Sequence, residues 1–400
     1  MGFKHICSHS VRSGRAGFLA CMVLALMAGT FLSSGLSAVS QFVIAEFALT
    51  KSQFGALATA FTLGSAITAP VAGRLADRIG GRRMLIFHFA ACSLGILAAA
   101  QSSSYIWLLA AVGFFGLISS GSNPGANRLI ATSVPPRERG PMMGVKATGQ
   151  PLMVTASGLV LPSAAAAWGW RGSLTIGVAI CAAGLLLTRR APRDRPHQRA
   201  SGSTVPKPPL PASIKWLTLN GLAMGAGTAA VLAFLPLFAQ ERLDMSVPLS
   251  GLLLATVGLT SVAGRLMWGR QANSGAHVSV ALNWLTGLSV GATISLALSP
   301  LVGQWAAWIA AGVAGLSMAA WNAVGMTAIV LEVDTAIAGA MSGVVMAGFL
   351  CGWMITPPLF GFIVDSSDSY TLAWLMVGVV FTLALVPTIL WRRGLAEVAA

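Results

Sequence analysis

The chain is 400 residues long, with 56% hydrophobic residues, only 9% charged residues and a mean hydropathy of +0.78. Soluble proteins carry about 25% charged residues, so this composition excludes a soluble globular protein and predicts an integral membrane protein. The formal net charge of +14 would suit nucleic acid. The positions of the cations, however, follow the pattern of membrane orientation, so we expect no nucleic-acid partner.

Apolar segments near 20 residues long recur along the whole chain. Each is long enough to cross a hydrocarbon layer about 30 Å thick at about 1.5 Å per residue. We predict twelve membrane-spanning helices, at residues 16–44, 53–72, 84–101, 105–130, 141–167, 172–188, 214–239, 249–268, 278–298, 304–331, 338–364 and 370–391. The predicted fold class is therefore an all-α integral membrane protein embedded in a lipid bilayer.

The lysines and arginines are distributed unevenly between the predicted loops. With the N-terminus in the cytoplasm, most of them fall on the cytoplasmic side, and only Lys51, Arg171 and Arg242 fall opposite. Cytoplasmic loops carry an excess of Lys and Arg in membrane proteins. We therefore expect a multi-pass protein of the cell inner (plasma) membrane with both termini in the cytoplasm.

The chain also divides into two similar parts. Residues 189–213 form a long polar stretch rich in Arg and Pro, which predicts an N-terminal six-helix bundle at 1–188, a cytoplasmic linker at 189–213 and a C-terminal bundle at 214–400. Similar positions recur 199 residues apart, and they pair Gly113, Gly116, Leu117 and Asn123 with Gly312, Gly315, Leu316 and Asn322. Repeated halves of this kind predict a substrate site between them.

Residues 73–83 form a charged hairpin between two apolar segments, with four arginines and Asp77. Such charges cannot lie in hydrocarbon, so we expect a tight polar turn at a membrane face. The segment 269–273 is a weaker copy. The pattern of Gly73, Leu75, Ala76, Asp77, Arg78 and Gly80 resembles the hallmark loop of the major facilitator superfamily, except that Gly81 stands where a basic residue is common.

This resemblance implies two pseudo-symmetric six-helix bundles that transport by rocker-switch alternating access. It also implies that the first, fourth, seventh and tenth helices line the cavity. Asp77 would meet the positive N-terminal end of the eleventh helix, near Gly339, and stabilise the outward-facing state. The predicted gate residues are Gly73, Asp77, Arg78, Gly80 and Arg82; alternatively, the arginines only follow the charge rule for cytoplasmic loops.

Two further segments resemble bacterial carriers of organic anions, including the cyanate and carboxylate types. They are residues 135–140, before the fifth helix, and Gly169-Trp170-Arg171 after it. The fifth helix matches the pattern of drug antiporters only in part, since it has Gly144, Gly149, Pro151 and Gly158 but no Gly-Pro pair. This weighs against drug export.

Polar residues at helical spacing mark the predicted cavity. The first helix carries Thr30, Ser34, Ser37 and Gln41 at intervals of four, three and four, which places them on one face. The full set predicted to bind substrate is Thr30, Ser34, Ser37, Gln41, Asn123, Arg128, Lys146, Gln150, Asn220, Thr228, Trp321 and Asn322. The alternative for the small polar residues is hydrogen bonding between helices, worth about 0.6 kcal/mol per contact, and for Trp321 it is helix packing.

Arg128 and Lys146 are the cations predicted to enter the membrane. With Gln150 they would form a cationic floor suited to a small anion, and their second-half counterparts Thr327 and Val345 carry no charge. Alternatively, the Lys146 amine reaches back to the cytoplasm. All acidic residues map to loops or helix ends, which disfavours export of cations because such exporters usually place a carboxylate at mid-membrane.

The sequence therefore predicts a monomeric secondary transporter for a small-molecule substrate, best fitted by a small organic anion moved by proton symport or exchange. Proton-driven efflux of hydrophobic drugs is the main alternative, and a non-transporting membrane receptor on a transporter fold is a remote one. No HExxH, Gly-x-Ser-x-Gly or phosphate-loop motif is present, so we expect no enzyme activity and no cofactor or metal.

Overall fold

The computed structural model describes residues 3–192, 212–273, 278–333 and 337–399, with side chains omitted for 3–14, 212, 270–273, 330, 332, 339, 387, 388 and 390–399. All regular structure in these ranges is helical. The α-helices are α1 Phe3–Ala38, α2 Ser40–Phe47, α3 Lys51–Ile79, α4 Gly81–Ala100, α5 Tyr105–Ser119, α6 Ser122–Ser133, α7 Pro136–Ala147, α8 Gly149–Leu174, α9 Ile176–Arg190, α10 Ala212–Arg242, α11 Val247–Asn273, α12 Val278–Val302, α13 Gln304–Leu316, α14 Trp321–Glu332, α15 Ala338–Ser367 and α16 Tyr370–Ala399. A 3₁₀ turn, Met318–Ala320, joins α13 to α14.

In the described ranges, ten helical segments are long and apolar enough to cross a membrane. They match ten of the twelve predicted spans. The twelfth appears as the shorter apolar helix Tyr370–Val386. The sixth predicted span follows a break in the backbone of α8 at Gly169, whose φ of +73° favours glycine. After this break the chain continues in helical conformation through α9 to Arg190.

The helices form two bundles, which we call the N half (α1–α9) and the C half (α10–α16). Within the N half, α1 packs on α8 and α9, and within the C half α10 packs on α15 and α16. Across the halves, the most extensive packing in the described ranges is between α3 and α15 and between α8 and α11, and α1 also contacts α10. The fold is thus the predicted all-α arrangement of two bundles. The boundaries at 188 and 214 remain a prediction, because residues 193–211 of the linker lie outside the described ranges.

The charged hairpin is a tight turn between α3 and α4. Gly80 lies at its centre with a φ of +89°, a conformation that glycine adopts without strain. The next residue, Gly81, packs against the backbone of α6, where a Cβ would overlap the carbonyl oxygen of Gly125. This close contact explains why a basic residue is absent from position 81. The side chains of the weaker copy lie outside the described residues from 270 onward.

The three cations predicted to lie opposite the rest share one end of the bundle, and each forms an ion pair there. Arg171 pairs with Glu46, Lys51 with Glu241, and Arg242 with Asp368. Asp77 and Arg137 mark the other end. The charge asymmetry of the sequence therefore corresponds to two distinct ends of the folded chain.

Candidate functional site

A cavity of about 790 Å³ lies between the two halves. Helices α1, α3, α5, α6, α7 and α8 of the N half line it together with α10, α11, α14 and α15 of the C half, as the predicted site between repeats requires. Eight of the predicted binding residues line this cavity: Thr30, Ser34, Ser37, Asn123, Lys146, Gln150, Thr228 and Asn322. Gln41, Arg128, Asn220 and Trp321 are not among its lining residues, which differs from the prediction.

Gln41 leaves the polar stripe because the first span is not one continuous helix. The helix α1 ends at Ala38 and α2 begins at Ser40, so the helical spacing is interrupted before residue 41. The Gln41 side chain is exposed. The stripe thus reaches the cavity only from Thr30 to Ser37.

Trp321 and Asn220 satisfy each other instead of facing a substrate. Trp321 is fully buried, and its indole Nε1–H donates to the Asn220 Oδ1 at 2.8 Å. The Asn220 amide in turn donates to the Thr286 hydroxyl at 3.0 Å. A buried indole N–H needs an acceptor, and Asn220 provides it within the C half. Both residues are buried and lie behind the side chains that line the cavity.

Arg128 forms an ion pair with Asp77 and does not enter the cavity. Its Nη1 donates to the Asp77 Oδ1 at 2.8 Å, and the Asp77 side chain is 55% exposed. In this conformation the hairpin carboxylate is therefore bound to a residue of its own half. Its contact with the eleventh helix stays a prediction, since the resemblance assigns that contact to a different conformation.

The other predicted gate residues surround the same turn. Arg82 donates to the backbone oxygens of Thr188 and Arg189, in the last turn of α9, and so connects the hairpin to the sixth span. Arg78 is exposed, and Gly73 borders open space, since a Cβ there would have no atom within 4 Å. Their role in gating remains a prediction.

Lys146 is the cation that the N half presents to the cavity. Its side chain is buried, with 6% exposure, and its Nζ donates to the Oδ1 atoms of Asn123 and Asn127. Both partners are neutral amides, so they orient the ammonium group without cancelling its charge. The described lining of the cavity contains no Asp or Glu. An anion that enters the cavity would therefore find a positive charge and no repelling carboxylate.

Arg265 of α11 is a second cation in the cavity lining, and the sequence reasoning missed it. The distribution of cations along the chain places Arg265 with the charges of the cytoplasmic face. Its Nη1 donates to the Ala147 backbone oxygen at 2.8 Å, and Ala147 directly follows Lys146 in the chain. Its position inside the predicted span 249–268 was the signal in the sequence that this arginine enters the membrane. Arg265 takes the place that the prediction gave to Arg128, but it comes from the opposite half.

The rest of the lining is largely apolar and partly aromatic. Phe54 and Phe61 of α3 and Phe349 and Trp353 of α15 all line the cavity. The Phe349 and Trp353 rings lie 5.7 Å apart, and Phe349 stacks on the buried Trp321 ring at 5.3 Å. One side of the cavity therefore offers ring faces to a ligand.

Contacts between the halves hold the cavity shut at the end that carries Lys51, which we call the closed end. The Asp365 carboxylate accepts the backbone N–H groups of Lys51 and Ser52, each at 2.8 Å. Glycines bring the helices close together: a Cβ at Gly158 of α8 would overlap the backbone of Gly251 and Ala255 of α11. This end is sealed by backbone contact as well as by charge.

Toward the end that carries Asp77, which we call the open end, the halves stand apart. Gly144 and Gly343 occupy corresponding positions in the two repeats, 199 residues apart. A Cβ at either glycine would meet no atom within 4 Å. The cavity lining extends in this direction to the exposed Leu266 and Ala69. The structure therefore shows a cavity that is closed at one end and open at the other.

A cavity between two similar helical bundles, open at one end only, is the architecture of a membrane transporter. The sequence model of the Major Facilitator Superfamily matches residues 19–335, and the chain belongs to this superfamily. Its members are transporters and not enzymes.

Similar proteins agree with this placement. An uncharacterised MFS-type transporter of Mycobacterium tuberculosis is 26% identical over 346 residues, which cover 84% of this chain and 76% of its own. The hexuronate transporter of Bacillus subtilis is 24% identical over 371 residues, with coverage of 86% and 87%. The crystal structure of a bacterial homologue of the human lysosomal transporter Spinster, inward-facing and occupied, matches with a TM-score of 0.79 at 16% identity, covering 95% of this chain and 97% of that one. This last likeness shows the fold.

Proposed function

We propose that this transporter is a secondary carrier of a small organic anion. The observation that carries the proposal is the charge of the cavity: Lys146 and Arg265 line it, and its described lining has no acidic residue. A permanent positive charge in a partly dehydrated cavity attracts anions and repels cations. The similar protein from Bacillus subtilis is named for transport of hexuronate, an organic acid, which supports the same substrate class.

The charge asymmetry of the loops supports an orientation in an inner membrane. Because the arginine-rich hairpin lies at the open end, we infer that this end faces the cytoplasm, which would make this conformation the inward-facing one. Both termini then lie in the cytoplasm. In the other state the halves would separate at the closed end and meet at the open end, where Asp77 would reach the start of α15.

Proton symport and exchange of one anion for another are both compatible with such a cavity. Efflux of hydrophobic drugs is the second candidate, favoured by the aromatic lining of Phe54, Phe61, Phe349 and Trp353. The two candidates differ in the role of Lys146. Anion transport depends on its charge, whereas transport of a neutral or cationic hydrophobe does not.

The test is flux into proteoliposomes that contain the purified full-length protein. Labelled benzoate, glucuronate and ethidium are offered in turn, with and without a pH gradient. We expect one or both carboxylates to be transported, and Lys146→Gln to reduce that flux at least tenfold because one of the two positive charges in the cavity is lost. Arg137→Gln, which changes an exposed arginine at the open end, is the matched control and should retain full flux.

Transport of ethidium with no transport of either carboxylate would overturn the proposal in favour of drug efflux. Full carboxylate flux in both the Lys146→Gln and the Arg265→Gln proteins would remove its basis in the structure. Binding of a carboxylate without any flux would identify a receptor. Accumulation driven by the pH gradient would assign symport, and flux that requires the anion on both sides would assign exchange.

A further inference from the structure

Resting on the proposed function, we infer that the substrate is a monocarboxylate with an apolar ring as its body, and that Arg265 holds its carboxylate. The inference combines three observations within one cavity. They are the unmet hydrogen-bonding capacity of Arg265, the aromatic surface deeper in the cavity, and the engagement of most hydroxyl donors with the backbone.

Arg265 has a donor group that the protein does not satisfy. Its Nη1 and Nη2 donate to the backbone oxygens of Ala147 and Ala319, at 2.8 and 3.4 Å. Its Nε–H is buried without any hydrogen-bond partner. A buried unpaired donor is costly, and more so on a charged group. A carboxylate can accept two parallel hydrogen bonds from one guanidinium edge, so a bound carboxylate would supply the missing acceptor.

Lys146 is better supplied. Two amide oxygens, from Asn123 and Asn127, already accept two of the three hydrogen bonds that its Nζ can donate. The cavity thus holds one cation with a buried nitrogen that has no acceptor and one whose nitrogen already has two. This asymmetry favours a ligand with a single carboxylate at Arg265, with Lys146 adding attraction at longer range.

The ring surface lies deeper in the cavity than the cations. Depth can be counted along each helix from its terminus at the open end. Lys146 lies about 15 Å from the start of α7 and Arg265 about 12 Å from the end of α11. Trp353 lies about 22 Å from the start of α15 and Phe61 about 27 Å from the end of α3. The difference in depth is about 7 Å between Lys146 and Trp353 and about 10 Å between Arg265 and Trp353, so an anion held at Arg265 would extend its body toward Trp353. A six-membered ring attached to a carboxylate has this size, and an aromatic face packs well on such a ring.

The hydroxyl groups of the lining favour an apolar body over a hydroxyl-rich one. Thr30, Thr62 and Thr228 donate to backbone oxygens of their own helices at 2.9, 2.8 and 2.7 Å. Ser37 donates to Leu232 across the two halves. With these donors engaged, a polyhydroxylated acid would have to pair its hydroxyl groups mainly with the side-chain amides of Asn123, Gln150 and Asn322, and each hydroxyl left unpaired costs binding free energy.

The test measures ligand binding to the purified full-length protein by calorimetry. The ligands are benzoate, cyclohexanecarboxylate, galactonate and the neutral benzamide. We expect benzoate and cyclohexanecarboxylate to bind, and galactonate and benzamide to bind at least tenfold more weakly. Arg265→Gln should raise the Kd for benzoate about 10- to 100-fold, since it removes a charge-assisted contact. Arg265→Lys should recover part of the affinity, because it keeps the charge but not the fork geometry.

Trp353→Leu provides a second readout that does not change any charge. It should weaken benzoate more than galactonate, while Arg137→Gln, the matched surface control, should bind every ligand as the unmodified protein does. Equal affinity for benzoate and benzamide, or an unchanged Kd for Arg265→Gln, would overturn the inference. Tighter binding of galactonate than of benzoate would also overturn the inference, but it would leave the proposed transport of organic anions standing. Transport of cations alone would overturn the proposed function as well.

Discussion

The carboxylate of Asp365, near the end of α15 in the C half, accepts the backbone N–H of Lys51 at 2.8 Å, at the start of α3 in the N half. Its second oxygen accepts the N–H of Ser52 at the same distance. These donors are among the groups that have no partner within α3, so Asp365 caps this helix from the opposite half. Asp77 lies near the other end of α3, and its predicted partner is the start of α15. The same two helices are therefore expected to make contact through a carboxylate at either end.

This capping contact should stabilise the conformation that is closed at the Lys51 end. Asp365→Asn removes the charge and one of the two acceptor oxygens, so we expect the halves to separate more often at this end. Pulsed electron paramagnetic resonance between spin labels at Ser103 and Ser246, in a cysteine-free background, would show a longer and broader distance distribution. Asp368→Asn is the control, because Asp368 pairs with Arg242 inside the C half. An unchanged distribution in the Asp365→Asn protein would show that the glycine contacts alone hold this end.

The contact between α8 and α11 should tolerate no added side chain at Gly158. A methyl group there would overlap the backbone of Gly251 and Ala255, so Gly158→Ala should destabilise this conformation by about 1–3 kcal/mol, or roughly 5- to 150-fold in its population. Flux in proteoliposomes should fall accordingly. Gly287→Ala is a matched control on α12, where a Cβ would meet no atom within 4 Å. Equal flux in the two variants would contradict the proposed importance of the close contact.

Arg128 should affect turnover and not substrate affinity, because it pairs with Asp77 outside the cavity. We expect Arg128→Gln and Asp77→Asn each to lower the maximal transport rate with little change in KM. The pair itself should contribute little to stability, about 0.2–1 kcal/mol in a double-mutant cycle, since the Asp77 side chain is 55% exposed. A tenfold rise in KM for Arg128→Gln alone would instead return Arg128 to the substrate site.

The pair of Glu46 and Arg171 should make stability depend on pH. The hydrogen bond from Arg171 lowers the pKa of the Glu46 carboxyl below its ordinary value of 4.5, partial burial opposes this, and a hydrogen bond from Trp170 lowers it further. A carboxyl with a lowered pKa in the folded state stabilises the fold above its unfolded pKa and loses that contribution as pH falls through the folded value. Glu46→Gln should therefore lower the thermal unfolding midpoint at pH 7.

The difference in midpoint between the Glu46→Gln protein and the unmodified protein should shrink as the pH falls below about 4.5. Arg171→Gln should lower the midpoint at pH 7 in the same way, and the double variant should add little to either single change. A difference that stayed constant from pH 7 to pH 3 would mean that the carboxylate charge does not contribute.

Sequence reasoning predicted the fold well because membrane spans depend on composition and length. The hydrophobic segments, the charge asymmetry of Lys51, Arg171 and Arg242, and the hairpin around Gly80 are all local signals, and the structure has helices and a turn where they indicated. The break at Val39, between α1 and α2, gave no such signal. It moved Gln41 out of a stripe whose spacing looked regular.

The site was harder to predict because it depends on which polar groups satisfy each other. Trp321 and Asn220 lie on different helices, and only the packing of the C half shows that they form a hydrogen bond. Arg128 and Arg265 are both arginines near span ends, and composition does not distinguish them. The structure does, since Arg128 meets a carboxylate and Arg265 meets only backbone carbonyl groups.

The neutral partners of Lys146 have a consequence for the transport cycle as a whole. Asn123 and Asn127 leave the ammonium charge uncompensated, so an empty carrier that closes around its cavity must bury a net positive charge. A carrier loaded with the proposed anion would bury less net charge. If the proposed function holds, reorientation should thus be slower when the cavity is empty than when it is full, and exchange of one anion for another should be faster than net movement in a single direction.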